Sequence, residues 1–201
     1  MEIIIVRHAE SEQQTKSVTG GWSNTDITER GMTQAELTGR KLQRLIDEDY
    51  LFLSSDLLRA RKTSEIIGKF VGQSANYYEE LRELNNGDAA NKAITEADRI
   101  RNAITYPTID WIPFPNAESW RMMQIRIWGF LDNTILPNCN YLIVSHGNAM
   151  IEIINWFLNL YYEDKNLSYE IDNCSITILG ENEWNERTIR KLNNTSHLDD
   201  R

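Results

Sequence analysis

The stretch Ile3-Ile4-Ile5-Val6-Arg7-His8-Ala9-Glu10-Ser11 decides the fold class of this chain. Its four consecutive apolar residues predict a strand buried on both faces, which is typical of a parallel sheet covered by helices. Arg7 and His8 follow that strand directly. In open α/β sheets, ligands bind in the crevice outside the carboxyl ends of the strands, so these two side chains are candidates for a functional site.

The same arrangement occurs twice more along the chain. Residues 51–53 form a second apolar run, and the helix predicted after it carries Arg59 in its first turn, where free N–H groups can face an anion. Residues 141–144 form a third run, which is followed by Ser145 and His146. With helices predicted between the runs, the fold class is α/β, a three-layer α/β/α sandwich around a mostly parallel central sheet.

The alternation of strands and helices predicts a single domain over residues 1–192. Residues 88–117 interrupt the alternation, carry three of the four prolines, and are predicted to form a small helical and loop excursion over the site. Residues 175–179 and 184–189 are predicted to form a closing pair of strands. Residues 193–201 are expected to be a flexible tail.

Two helix starts are predicted from local capping residues. Thr33 and Glu36 have the spacing of a capping box, which predicts a helix beginning at Thr33. Ser54, Ser55 and Asp56 are good N-cap residues for the helix that carries Arg59.

The composition limits which binding partners and which cellular compartment are expected. The 201 residues carry a net charge of -9, which argues against nucleic acid or an anionic membrane as a partner, since such binding needs a basic face. The two cysteines are too few for a disulfide scaffold. No apolar run approaches the length of a membrane span, and the first strand leaves no room for a leader, so a cytoplasmic location is expected. Nothing in the sequence indicates an oligomeric state.

Two arginines and two histidines around one point predict a site for a tetrahedral dianion. Guanidinium groups grip phosphate bidentately, and each charged hydrogen bond contributes about 1.5 to 3 kcal/mol. A histidine can itself attack, provided that it is neutral, and the neighbouring Arg7 and Arg59 disfavour a further positive charge. A leaving alkoxide also needs a proton, which a carboxylic acid near the bridging oxygen can supply.

A metal site is a weaker reading of the same residues. Two histidines could bind a metal, but the neighbouring arginines would repel it. The chain also has no His or Cys spacing characteristic of a zinc site. Neither a metal nor another cofactor is therefore expected.

The segment from Arg7 to Ser11 resembles the Arg-His-Gly-Glu-Ser/Thr signature of the histidine phosphatase superfamily, which includes the cofactor-dependent phosphoglycerate mutases. Five further motifs follow in the family's order. Gly21-Trp22 with Asp26 and Thr28 resembles its tryptophan loop, and Ser55-Asp56-Leu57-Leu58-Arg59-Ala60 with Thr63 resembles the segment of its second arginine. Leu81-Arg82-Glu83 resembles its proton-donor segment, Ala117-Glu118-Ser119 its Gly-Glu-Ser, and Ser145-His146-Gly147 its second-histidine motif. The resemblance covers nearly the whole chain.

The resemblance implies a role for each of these positions. His8 would attack phosphorus and become phosphohistidine, while Arg7, Arg59 and His146 would hold the phosphoryl oxygens. Glu83 would protonate the leaving group and later activate water, with Glu79 and Glu80 as alternatives one strand period away. The residues implied at the substrate are Ser11, Gln14, Gly21, Trp22, Gly147 and Asn148.

The chain departs from the family pattern at three places. Ala9 replaces the usual Gly, which requires a negative φ at that position. Gln14 stands where the family usually has Asn, so its amide would reach phosphate from one methylene further away. After Gly87, Asp88-Ala89-Ala90 replaces the common aromatic-Glu-Gly, which makes the rim beside the implied proton donor atypical.

The sequence therefore predicts a phosphatase that hydrolyses a small phosphomonoester, with the monoester or inorganic phosphate as its ligand. The runner-up is a phosphoglycerate mutase, which Asn148 directly after His146-Gly147 favours. Against the mutase, the excursion offers mainly Lys92, Arg99 and Arg101 for a substrate carboxylate. A third hypothesis is a phosphate-binding or regulatory module without catalysis.

Overall fold

The computed structural model describes residues 1–46, 50–163 and 167–199. The strands of this part of the chain are β1 (Glu2–Arg7), β2 (Tyr50–Ser55), β3 (Asn76–Tyr78), β4 (Asn140–Ser145), β5 (Ile176–Glu181) and β6 (Arg187–Asn194). They form one sheet in the order β3-β2-β4-β1-β5-β6. Strands β1 to β4 are mutually parallel, β5 runs antiparallel to both of its neighbours β1 and β6, and β6 therefore points in the same direction as β1. The predicted mostly parallel sheet is confirmed.

Helices cover both faces of the sheet. They are α1 (Glu12–Thr15), α2 (Glu29–Gln43), α3 (Leu58–Val71), α4 (Ile94–Arg99), α5 (Trp120–Thr134) and α6 (Gly147–Leu158). One core cluster joins the sheet to α5 and α6, and a second joins its other face to α2 and α3. The three-layer α/β/α architecture is therefore confirmed.

The opening strand contributes to both clusters, as its unbroken apolar run predicts. Ile3 and Ile5 pack with the α5 and α6 side chains, while Ile4 and Val6 pack with those of α2 and α3. None of the four is more than 1% exposed. Because fully burying one such side chain contributes about 1.5 to 3 kcal/mol, β1 is a main source of stability at the centre of the sheet.

Both predicted helix starts are wrong. Helix α2 begins at Glu29 rather than Thr33, and its N-cap Thr28 accepts a hydrogen bond from the Gly31 amide at 3.0 Å. Helix α3 has Leu57 as its N-cap, without a side-chain cap. The Ser55 hydroxyl accepts from the Leu57 amide at 3.3 Å and also contacts the functional site.

The excursion over residues 88–117 contains α4 and a short 3-10 turn, Thr108–Asp110. It packs on its own small cluster of Ala89, Ala97, Phe114 and Ala117. Backbone hydrogen bonds join it to the loop before α2, since the Thr19 amide donates to the Lys92 carbonyl at 2.9 Å. The excursion is therefore tied to the same loop that carries Gly21 and Trp22.

The end of the chain differs from the expected flexible tail. Strand β6 continues to Asn194, and a 3-10 turn follows over Ser196–Leu198. His197 in that turn is buried, with its Nε2 3.0 Å from the Thr38 hydroxyl of α2. Apolar and polar contacts with α2 thus hold residues 193–199 against the domain.

In the described part of the chain, no helix is long and apolar enough to cross a membrane.

Candidate active site

The strand register brings the predicted site residues to one edge of the sheet. Arg7 at the end of β1 lies opposite Ser145 at the end of β4, and Ser54 of β2 lies opposite Val144 of β4. The residues that follow these strands are consequently level with one another. This places His8, His146 and the start of α3 around one point.

His8 is held as a neutral imidazole with one nitrogen free to react. Its Nδ1 lies 2.7 Å from the Ala9 carbonyl oxygen, and because a carbonyl only accepts, Nδ1 carries the proton. The Nε2 lone pair then accepts from the Arg59 Nε–H at 3.2 Å. Burial, followed by the charges of Arg59 and Arg7, lowers the pKa of His8 well below its usual range.

His146 lies beside His8, with the ring centroids 5.0 Å apart. Its Nε2 is 2.8 Å from the Ser55 hydroxyl, which accepts from the Leu57 amide and to which we assign the role of donor to the ring. The proton of the neutral ring is then on Nδ1, which is buried and has no hydrogen-bond partner among the described residues. Burial, followed by the Arg59 charge, lowers the pKa of His146 and keeps it neutral.

Arg7 has a second buried donor of the same kind. Its Nη1 donates to the Ile171 carbonyl, whereas its Nε has no partner in the described ranges. A Cβ atom on Gly147 would lie at an ordinary contact distance, 3.7 Å, from the Arg7 guanidinium carbon, so the start of α6 packs against this side chain. Burial lowers the pKa of Arg7, and the carboxylate of Glu83 opposes that shift.

Arg59 is 1% exposed, and main-chain oxygens of the preceding loop fix it. Its two terminal nitrogens donate to the carbonyls of Gly21 and Ser23, each at 2.8 Å. Gly21 has φ +70°, and a Cβ there would lie 2.6 Å from the Asn86 amide nitrogen, so the loop requires glycine. Burial is the main reason that the pKa of Arg59 falls to about 10.

Glu83 is the carboxylate that the structure brings to this edge. Its Oε1 accepts from the Leu84 amide at 2.8 Å, and its Oε2 accepts from the Asn148 amide in the first turn of α6 at 3.3 Å. The two alternatives lie elsewhere. The Glu79 side chain is 67% exposed and pairs with Arg82, and the Glu80 charge also acts on Arg82 while its carbonyl accepts from Arg126.

Trp22 and Arg126 hold the segment that carries Glu83. The Trp22 indole donates to the Glu83 carbonyl at 2.7 Å, and the guanidinium carbon of Arg126 lies 5.6 Å from the Trp22 ring. Arg126 also donates to the carbonyls of Glu80, Arg82 and Glu83 and forms a bidentate pair with Glu118. Sequence reasoning missed Arg126, since in the sequence it is one cation in an amphipathic helix.

Ser11 and Gln14 lie next to the nucleophile segment, but Gln14 is committed to other partners. Its Oε1 accepts from the Ser11 amide at 3.0 Å, and its Nε2 donates to Asn173 Oδ1 at 3.1 Å. Asn173 in turn donates to the His8 carbonyl at 2.9 Å. Asn173 was also missed, because only the folded chain brings it to His8. The neighbouring Gln13 is buried and accepts from the Ser23 hydroxyl, which fixes the loop that binds Arg59.

Together these contacts form a compact anion site. It offers two unpaired buried donors, Arg7 Nε and His146 Nδ1, beside a neutral imidazole whose lone pair already faces Arg59. Such preorganised donors are what a phosphoryl group needs as charge develops on its oxygens. Across the described ranges, no group of three or more His, Cys, Asp or Glu side chains could hold a metal ion.

The chain is similar in sequence to both mutases and phosphatases. It is 30% identical over 168 residues to a 2,3-bisphosphoglycerate-dependent phosphoglycerate mutase of Bartonella bacilliformis, covering 76% of this chain and 79% of that protein. It is 31% identical over 202 residues to a Hydrogenobacter thermophilus protein named provisionally as phosphoserine phosphatase 2, covering 97% of this chain and 96% of that one.

Solved structures show the same fold. The chain superposes on an alpha-ribazole phosphatase of Shigella flexneri with a TM-score of 0.81 at 21% identity, covering 96% of each chain. A mycobacterial glucosyl-3-phosphoglycerate phosphatase gives a TM-score of 0.80 at 20% identity, over 96% of this chain and 99% of that one. The sequence model of the histidine phosphatase superfamily, branch 1, matches residues 3–195. The chain therefore belongs to branch 1 of the histidine phosphatase superfamily, as its motifs indicate.

Proposed function

We propose that this protein is a phosphatase that hydrolyses a small phosphomonoester through a phosphohistidine on His8. The observation that carries the proposal is the state of the His8 ring. Its Nδ1–H is fixed by the Ala9 carbonyl, its pKa is lowered, and its Nε2 lone pair is unprotonated and faces the Arg59 Nε–H. A neutral, oriented imidazole is the form of histidine that can attack phosphorus.

In the first step, His8 Nε2 forms a bond to phosphorus as the ester P–O bond breaks. The Arg59 Nε–H now bonded to Nε2 is within reach of an oxygen on the transferred group, and Arg7 Nε and His146 Nδ1 supply further donors. Removing one donor of this kind typically costs about 100- to 1000-fold in rate. Glu83 gives its proton to the departing alkoxide, so the alcohol leaves neutral.

In the second step, Glu83 takes a proton from water, whose oxygen attacks phosphorus while the bond to His8 Nε2 breaks. Inorganic phosphate is released, and the imidazole returns to its neutral form. The support for Glu83 is its position, since the first turn of α6 beside His146 holds its carboxylate. Glu83 gave up its proton in the first step, so its carboxylate is ready to act as the base at this stage.

The experiment is acid-quench labelling with a ³²P-labelled monoester. The wild-type protein should carry acid-labile label, and His8→Ala should carry none and release no phosphate. His197→Ala is the matched control, because His197 is also a buried histidine but its Nε2 contacts the Thr38 hydroxyl of α2 instead. Turnover by His8→Ala would sink the mechanism. An absence of phosphate release from every monoester between pH 5 and 8 would favour a binding or regulatory module instead.

A phosphoglycerate mutase is the second candidate, supported by the relatives with that name. The excursion gives it little support, because Arg101 is paired with Asp98 at 2.7 Å and stacks on Phe114. The relative with a phosphatase name also aligns with more of this chain than the mutase does. Measuring phosphate release and conversion of 3- to 2-phosphoglycerate side by side separates the two, and efficient isomerisation with little hydrolysis would favour the mutase.

A further inference from the structure

A pocket of about 290 Å³ is lined by residues of the excursion, of the start of α5 and of the segment that follows Glu83. Ile104, Trp111 and Pro113 of the excursion form one wall, and Trp120 of α5 lies in another. Leu84, directly after Glu83, completes it. Aromatic and aliphatic groups dominate such a lining, and the volume is at the lower end of small-molecule sites, which span about 300–1,000 Å³.

Hydrogen bonds connect this pocket to the proposed proton donor. The Leu84 amide donates to Glu83 Oε1 at 2.8 Å, so a lining residue of the pocket and the carboxylate are in direct contact. Glu118, another lining residue, accepts from the Asn85 amide at 3.0 Å. Two lining residues, Leu84 and Glu118, therefore contact the segment that carries the proposed acid.

The charges around the pocket disfavour an anionic occupant. Among the described residues, Glu118 is the only charged one that lines the pocket, and Arg126 neutralises its carboxylate with contacts of 2.8 and 2.9 Å. None of the described lining residues is a cation that could pair with a substrate carboxylate. Burying an unpaired charge is costly, so the pocket selects against carboxylates such as that of phosphoglycerate.

One polar group in the lining is unused. The Trp111 indole nitrogen is buried and has no hydrogen-bond partner within the described ranges. A buried indole N–H usually finds an acceptor, since leaving one unsatisfied costs about 1 to 3 kcal/mol. The lining, which also includes Thr108, thus combines a wide apolar surface with the unpaired donor of Trp111.

From this lining we infer that the pocket is the leaving-group subsite, and that the substrate class is a phosphomonoester of an apolar, uncharged alcohol with one hydrogen-bond acceptor. The inference rests on the proposed phosphatase function. It adds to that function the class of alcohol released, and it separates this chain from a mutase, whose substrate carries a carboxylate.

The first test compares three primary alkyl phosphates, whose alkoxides are similarly poor leaving groups. Burying one methylene is equivalent to about a fourfold change in affinity, so kcat/KM for 2-phenylethyl phosphate should exceed that for ethyl phosphate by about tenfold or more. 2-Carboxyethyl phosphate should show no gain over ethyl phosphate. Equal kcat/KM values for the phenylethyl and ethyl esters would overturn the inference and leave the phosphatase function intact.

A lysine introduced at the pocket rim should change the preference between the phenylethyl and carboxyethyl esters. Ile104 is 59% exposed, so Ile104→Lys should fold normally, and it should lower kcat/KM for the phenylethyl ester while raising it for the carboxyethyl ester. Ile125→Lys is the matched control, since Ile125 is 65% exposed on α5 and does not line the pocket. Equal effects of the two variants would contradict a subsite at Ile104.

The second test needs no catalysis. Titrating ¹⁵N-tryptophan-labelled protein with 2-phenylethanol should move the Trp111 indole signal, which Trp111→Phe identifies by its loss. If no ester is hydrolysed, the proposed function fails, but this titration still decides the subsite. A shifted Trp111 signal supports the pocket as an apolar alcohol site, and an unmoved signal at saturating 2-phenylethanol overturns it.

Discussion

Replacing Arg126 by Lys is the sharpest perturbation of the proposed acid, because Arg126 does not touch the site itself. Its guanidinium donates to both oxygens of Glu118 and to the carbonyls of Glu80, Arg82 and Glu83, at distances from 2.6 to 3.2 Å. A Lys ammonium keeps the charge but cannot span a carboxylate and three carbonyls at once. Arg126→Lys therefore loosens the backbone that carries Glu83.

The size of the effect follows from these contacts. Each charged hydrogen bond contributes about 1.5 to 3 kcal/mol, so losing two of the three carbonyl contacts should cost the fold at least about 3 kcal/mol. A shift of about 1 Å in a catalytic group can cost about 100-fold in rate. We expect a loss of about that size in kcat for ethyl phosphate, whose alkoxide needs a proton. The loss for p-nitrophenyl phosphate should be only about threefold, because its phenolate leaves without an acid.

The assay measures both esters with the wild-type protein, Arg126→Lys, Glu83→Gln and the double variant, at a urea concentration where all are folded. In the double variant, kcat for ethyl phosphate should be no lower than in Glu83→Gln, because Arg126 acts through Glu83. Arg187→Lys serves as the control, since Arg187 donates to the Phe157 carbonyl at 2.8 Å and has no contact with the Glu83 segment. Equal losses on both esters, or additive losses in the double variant, would refute this reasoning.

Three further predictions concern support of the histidines and of the core. Below pH about 6.5 the unfolded chain protonates its histidines while the buried His8 and His146 stay neutral, so the free energy of unfolding should decrease by about 1.4 kcal/mol per pH unit for each of the two. Urea titrations in which His8→Asn leaves this slope unchanged would contradict the prediction. Asn173→Ala removes the 2.9 Å hydrogen bond to the His8 carbonyl and should lower kcat about tenfold with KM nearly constant. Steady-state kinetics showing a change in KM alone would count against a role of Asn173 in positioning His8. Glu152 is fully buried and accepts from the Trp128 indole at 3.1 Å, so Glu152→Gln, which puts an amide there, should lower the free energy of unfolding in urea by about 3 kcal/mol. A loss below about 1 kcal/mol would disprove a role of the Glu152 carboxylate in stabilising the core.

The sheet and the first half of the site were predictable because their signals are local. Four apolar residues in a row require burial on both faces, and the register then carries Arg7, His8 and His146 to one edge. The start of α2 was not predictable in this way. Thr28 and Thr33 are both acceptable caps, and the choice depends on the 2.7 Å contact between the Thr28 hydroxyl and Glu10, which exists only in the folded chain.

The residues that hold the site in place were the harder part to predict. Arg126 and Asn173 have no motif of their own, and each acts by hydrogen bonding to main-chain carbonyls more than 40 residues away. Main-chain carbonyls are present at every position, so nothing in the sequence marks which ones a side chain will bind. Glu83 could be chosen over Glu79 and Glu80 by resemblance, whereas the structure separates the three by where their side chains lie.

The two departures nearest the nucleophile can be understood together. Ala9 has a φ outside the left-handed region, its amide donates to the Thr63 hydroxyl at 3.0 Å, and its methyl group packs with Ile27 and Cys174, so glycine is not required there. The longer side chain of Gln14 reaches Asn173 at 3.1 Å, and Asn173 binds the His8 carbonyl. Both changes add contacts to the backbone on either side of His8 and leave its ring untouched. They alter how the backbone around His8 is supported and not what its ring contacts. We therefore attribute the substrate class to the pocket lined by Leu84 and not to these two departures.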